Sequence, residues 1–288
     1  MKPAPFVYHR PSSLGEAIAL LERYDGEAKV LAGGQSLMPV VNMRLARPAA
    51  LIDLEGVPDL AGIRVDGDRV VFGAMTRHAR VERAPEVRAH LPILAHAMSY
   101  VGHLAIRSRG TIGGSLAHAD PAAELPALAA LLDGRFTLRG VNGERTLGWS
   151  DFFLSYLTTA LEPAEILTSI SFAIPPPRTR WSFREIARRH GDYALVGIGA
   201  LMRFASSGAL EDARIALFGV GPTPVRLHEA ERALRGQRPD GAAFASIAAE
   251  AVRLLEPDSD VHASAAYRRD VARTLIARVL AETTAHAA

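Results

Sequence analysis

Apolar positions fall at helical spacing after Ser13-Leu14-Gly15-Glu16, where Ala17, Ile18, Leu20 and Leu21 share one face. Ser13 and Glu16 have the spacing of a capping box, so a helix is predicted from there to about Tyr24. Lys29 to Ala32 reads as a short buried strand, broken by Gly33-Gly34. Met38 to Leu45 reads as a short helix and Ala50 to Leu54 as a further strand, which makes a compact β–α–β arrangement. The pattern changes near residue 56. Ile63 to Val65 and Arg69 to Phe72 form strands around Asp66-Gly67-Asp68. Helical signals cover Ala79 to Ala84, Leu91 to Val101 and Glu124 to Leu132. Between the last two, Ile106 to Thr111 reads as a strand end that leads into Gly113-Gly114. A hairpin of Phe136 to Arg139 with Glu144 to Leu147 turns at Asn142-Gly143, and Ile166 to Ile174 is another strand.

Pro175-Pro176-Pro177 interrupts this order. Three prolines continue neither a helix nor a central strand, and they stiffen a connector. A boundary is expected there, giving domains 1–177 (lobes about 1–55 and 56–177) and 178–288. Beyond it lie strand signals at Trp181 to Ala187, Ala194 to Ala205 and Ala213 to Val220. Helical ones follow at Leu227 to Leu234, Ala242 to Leu255 and Ala265 to Glu282, with Thr283 to Ala288 as a frayed tail. The fold class expected is α+β.

The two glycine pairs are the chemical candidates. The first sits in Val30-Leu31-Ala32-Gly33-Gly34-Gln35-Ser36-Leu37. Adjacent glycines permit positive φ and close backbone approach, and successive free N–H groups form an anion-binding nest. Gln35 and Ser36 add side-chain donors. This describes a pyrophosphate cradle, or a tight strand-exit turn. The second pair, in Thr111-Ile112-Gly113-Gly114-Ser115, has the same ingredients. Asp120 and Glu124 follow it, placed for ribose hydroxyls or for structural caps. Two such loops about eighty residues apart raise the case for one cradle built from two segments.

Composition narrows the chemistry. The 288 residues include no cysteine, which excludes disulfides, thiolate-held iron–sulfur or zinc sites and a cysteine nucleophile. The chain is 49% hydrophobic and 22% charged, as for an ordered globular protein. A net charge of +2 is too balanced for a nucleic-acid clamp. No secretory signal or membrane-length apolar run is visible, so a cytoplasmic protein without a transmembrane segment is expected. His90, His96 and His103 are spaced by six and seven, which is wrong for a shared helical metal site, and His118-Ala119-Asp120 lacks a third ligand. No metal site is expected. Gly197-Ile198-Gly199-Ala200-Leu201-Met202 misses the dinucleotide fingerprint at its last position and reads as core. Gly-x-Ser-x-Gly is absent. Tyr193, on a turn after the prolines, is either core or a partner for a planar ligand between domains.

Ala32-Gly33-Gly34-Gln35-Ser36-Leu37 together with Thr111-Ile112-Gly113-Gly114-Ser115 resembles the FAD-binding (medium) subunit of the molybdenum hydroxylase and xanthine dehydrogenase family, in particular the carbon monoxide dehydrogenase type. Ser182 to Gly197, including Arg188 to Ala194, is similar to the start of that family's C-terminal domain. The resemblance implies a two-lobed FAD-binding domain of the vanillyl-alcohol-oxidase-like type. A smaller domain with a three-stranded antiparallel sheet and a three-helix bundle would follow. It implies FAD held by Val30 to Leu37 and by Thr111, Ile112, Gly113, Gly114 and Ser115. Val101 would lie against adenine, Glu124 near the adenosine part and Asp120 at the ribose. Leu167 would approach the flavin through its backbone, Arg184 takes a place that is Lys in some relatives, and Tyr193 would flank the ring. No catalytic acid or base is implied. Molybdopterin and [2Fe-2S] clusters would sit on a large and a small partner subunit, in a dimer of heterotrimers. Electrons would pass through this chain to NAD, a quinone or O2. The same loops also suit a stand-alone flavoprotein oxidoreductase or a cofactor-free scaffold.

Overall fold

A computed structural model describes residues 2–285. The first lobe is a parallel sheet of β1 (Val7–His9), β2 (Ala28–Leu31) and β3 (Ala50–Asp53), ordered β1-β3-β2, with α1 (Leu14–Arg23) and α2 (Leu37–Asn42). Ser13 Oγ caps α1 by accepting from the Glu16 amide at 3.2 Å. The Glu16 carboxylate accepts from the backbone and hydroxyl of Ser12, so the reciprocal arm of the box sits one residue early. β1 has no buried residue, which is why hydrophobic pattern gave no sign of it.

The second lobe follows. β4 (Ile63–Asp66) and β5 (Arg69–Gly73) lead to five short helices: α3 (His78–Arg83), α4 (Pro85–His90), α5 (Pro92–Ala97), α6 (Leu104–Arg109) and α7 (Ile112–His118). Then come α8 (Glu124–Leu131), β6 (Arg135–Gly140), β7 (Gly143–Gly148), α9 (Trp149–Phe152), the small pair β8 (Phe153–Ser155) and β9 (Thr158–Thr159), and β10 (Ile166–Ala173). Its antiparallel sheet runs β4-β5-β10-β6-β7. The expected Leu91–Val101 helix is corrected to Pro92–Ala97. Leu91 precedes a proline, which disfavours the helical region, and it sits at φ −133°. The strand expected at Ile106 to Thr111 is also corrected. That stretch is α6 and the cap of α7, and Thr111 makes only a single bridge, to Arg77.

After the prolines, β11 (Arg180–Ala187), β12 (Ala194–Phe204) and β13 (Leu210–Phe218) pair antiparallel, and the two-residue β14 (Val225–Arg226) adds an edge to the expected three strands. Helices α10 (His228–Leu234), α11 (Gly241–Ala251) and α12 (Ala265–Ala285) cover one face of this sheet. The expected tail is corrected too: α12 continues through Thr283, which is fully buried, while 286–288 lie outside the described residues.

α8 places the site. All eight of its residues are buried, as expected for a helix that is apolar all round. It packs on β12 and β13 while belonging to the core of the second lobe. That core includes Phe72, Phe136, Phe152 and Phe172, and it continues without a break into Phe183 and Phe218 of the C-terminal sheet. The Phe183 and Phe218 rings stack with centroids 5.9 Å apart.

Candidate functional site

A cleft of about 780 Å³ opens where the first lobe, the second lobe and the β11–β12 loop meet, a size usual for a cofactor site. Its floor is the contact between the two glycine loops. A Cβ on Gly33 would stand 2.5 Å from the Arg109 carbonyl oxygen, and one on Gly113 would stand 2.5 Å from the Ala74 Cβ. No side chain fits at either point.

The loops differ in what they offer a ligand. In the second, Ile112 N–H donates to Thr76 O at 3.0 Å and Gly113 N–H to Ala74 O at 2.9 Å. Gly114 N–H donates to Thr111 Oγ1 at 3.0 Å, the N-cap of α7, and Ser115 N–H to Thr111 O at 3.0 Å. These amides are committed to the fold. In the first loop the amides of Gly33, Gly34, Gln35, Ser36 and Leu37 have no acceptor among the described residues. The Thr111 amide has none either. The first loop is therefore the open nest, and the second is the platform that holds it.

Val30, Ala32 to Leu37, Thr111, Gly113 to Ser115, Asp120, Glu124, Val101, Leu167 and Tyr193 all line the cleft. Leu31, Ile112 and Arg184 do not. Ile112 is fully buried in the core, and the Arg184 guanidinium pairs with Glu282 on α12 at 2.9 Å. Tyr193 is 57% exposed, yet its hydroxyl lies beside Ser36 and Asp120. Burial of that hydroxyl, and then the Asp120 charge, raise its pKa. Gly191 lets the loop carrying Tyr193 reach the second lobe: at φ +84°, its Cβ would stand 2.7 Å from the His103 ring.

Sequence reasoning missed His78. It lines the cleft behind Gly110, is only 4% exposed, and neither ring nitrogen has a hydrogen-bond partner among the described residues. Burial lowers its pKa to about 4, so the ring is neutral. It also missed the Leu157–Thr159 rim, where an exposed leucine at φ +51° gives no pattern to read. Among the described residues no cluster of three or more His, Cys, Asp or Glu could hold a metal, and no helix is long and apolar enough to cross a membrane.

Residues 4–176 match the family of the FAD-binding domain in molybdopterin dehydrogenase. The chain belongs to this family. Residues 181–283 match the C-terminal domain of the carbon monoxide dehydrogenase flavoprotein. The subunit alpha of the 6-hydroxypseudooxynicotine dehydrogenase complex of Paenarthrobacter nicotinovorans is 39% identical, over 98% of this chain and 95% of its own. The medium chain of the carbon monoxide dehydrogenase of Hydrogenophaga pseudoflava is 38% identical, over 97% of each. A solved structure of that bacterium's carbon monoxide dehydrogenase superposes with a TM-score of 0.97 over 100% of both chains, at 39% identity. The chain is an oxidoreductase subunit with an FAD-binding domain. The residues present suit that cofactor: five unclaimed amides in a row match a pyrophosphate, and the cleft beyond them has room for a planar ring system.

Proposed function

We propose that this chain is the cytoplasmic medium subunit of a heterotrimeric molybdenum hydroxylase that assembles as a dimer of heterotrimers. It receives electrons from iron–sulfur clusters on a small subunit and passes them to NAD, a quinone or O2. The large subunit would hold molybdopterin and oxidise the substrate. The observation that carries the reading is the row of amides from Gly33 to Leu37, facing a cleft in a chain of this family. Zero cysteine supports the division of labour, because the clusters must then be held elsewhere.

When bound, FAD supplies the redox chemistry. The chain's residues bind and orient it. The Gly33–Leu37 amides, with the Thr111 amide, would hold the pyrophosphate. Ser115 would add its hydroxyl. Asp120 and Glu124 would meet the adenosine half, with Val101 beside the adenine. The Leu167 backbone and the Tyr193 ring would flank the flavin. The Tyr193 hydroxyl, beside Ser36 and Asp120, would fix the ring's orientation rather than move a proton. Arg184, tied to Glu282 outside the cleft, takes no part in this arrangement. The division at residue 177 would separate the FAD-binding part from the part that carries Tyr193 to it.

Affinity purification of the chain from its native host tests the reading. Two further chains, one with iron and one with molybdenum, are expected. A flavin-loaded chain that turns over a small alcohol or NADH alone would contradict it.

A further inference from the structure

Glu124 is the first residue of α8, only 6% exposed, and it lines the cleft. No other residue among those described gives its carboxyl a hydrogen bond or a cation. Glu185 on β11 is half-buried, and its Oε2 is buried without a hydrogen-bond partner among the described residues. Each carboxyl senses the acids around it: Asp120 acts on Glu124, and Glu124 acts on Glu185. A buried acid without a counter-charge, with other acids acting on it, is not stable as a carboxylate.

The surroundings offer no compensation. The α7–α8 turn contributes Asp120, and the β11–β12 loop contributes Tyr193. His118 on α7 and Lys29 on β2 line the same cleft, but neither pairs with Glu124. Arg214 of β13 and Arg226 of β14 are spent at the far end of α8, on Asp133. Asp151 on α9 is exposed.

Resting on the reading that FAD fills this cleft, we propose that Glu124 meets the cofactor as the neutral acid and donates a hydrogen bond to it. Binding FAD therefore requires the proton on Glu124, and Glu185 only adds to the cost of ionising it. An ionised Glu124 would face the dianionic pyrophosphate compound in a cleft that already holds Asp120. Burial and Asp120 place its pKa at about 7, so the requirement falls within the physiological range. Covering Glu124 with cofactor removes more water and favours the protonated form further. Affinity therefore falls as pH rises through about 7.

The test is FAD binding to the full-length chain stripped of flavin, followed by flavin fluorescence from pH 6 to pH 8.5. Affinity is expected to weaken by about thirtyfold across that range, the change linked to one proton over about 1.5 pH units above a value of about 7. In Glu124→Gln, which keeps an N–H donor but cannot ionise, affinity should no longer depend on pH. In Glu185→Gln the dependence should persist, because Glu124 remains buried without a cation. Calorimetry on the unmodified chain gives a reading that needs no variant: at pH 7.5, FAD binding should take up a fraction of a proton from the buffer. Affinity that is constant with pH, a slope that survives in Glu124→Gln or vanishes in Glu185→Gln, or binding without proton uptake would overturn the inference and leave the FAD site standing. A folded chain that binds no FAD at any pH would overturn both.

Discussion

Replacing the Gly33 hydrogen with a side chain would put a Cβ 2.5 Å from the Arg109 carbonyl oxygen, a contact that only a shift of the loop relieves. Gly33→Val is therefore expected to separate the open nest from its platform and to abolish stoichiometric FAD binding, with the secondary structure retained. Flavin absorbance after gel filtration, together with far-UV circular dichroism, checks this. Full flavin content in that variant would mean that the nest is elsewhere. Both glycine pairs were legible in the sequence because glycine marks close approach. Their division of labour was not. The acceptors that claim the second loop's amides, Thr76 and Ala74, come from a turn some forty residues earlier, which no local pattern links to Gly113.

At the scale of elements, Thr111 ties the second loop together. Its hydroxyl caps α7 through the Gly114 amide, and its backbone is bridged to Arg77. Thr111→Val keeps the shape, removes the cap and leaves a donor unmatched. A loss of roughly 0.5–2 kcal/mol of stability is expected by chemical denaturation, along with weaker FAD binding. An unchanged denaturation midpoint would show that the cap contributes nothing. Most helices and strands followed their hydrophobic spacing closely. The exceptions have physical causes. β1 hides because it buries nothing. Pro92 starts α5 one residue later than expected, and the helix ends at Ala97, where the chain enters a turn over 98–100. The C-terminal helix runs on because Thr283 is packed inside, with its hydroxyl bonded to Val279 O at 2.6 Å.

For the molecule as a whole, the triple proline was readable, but the continuity of the core across it was not. Phe183 and Phe218 looked like ordinary strand alternation, and only the tertiary structure joins them to Phe136 and Phe152. Glu124 on α8 and Glu185 on β11 lie on the two sides of the same junction. Burial raises both pKa values, to about 7 and about 8. An acid raised in the folded state holds more protons there than in the unfolded chain, so its contribution is lost as pH rises through the folded values. His78, lowered to about 4, works in the opposite direction below about pH 6.5, where its unfolded form gains a proton. Between about pH 6.5 and 8 the carboxyls dominate the comparison. A Glu124→Gln/Glu185→Gln chain, free of flavin, should gain thermal stability over the wild type steadily through that window. A constant difference in melting temperature would argue against buried acids at the junction.

On the proposed reading this chain holds flavin, and its partners hold the metals. The measurement closest to it is the cofactor content of the complex purified through this chain, with each subunit separated and assayed for flavin, iron and molybdenum. One FAD per copy of this chain, iron in a small subunit and molybdenum in a large one are expected. A folded complex in which this chain carries no flavin would contradict it.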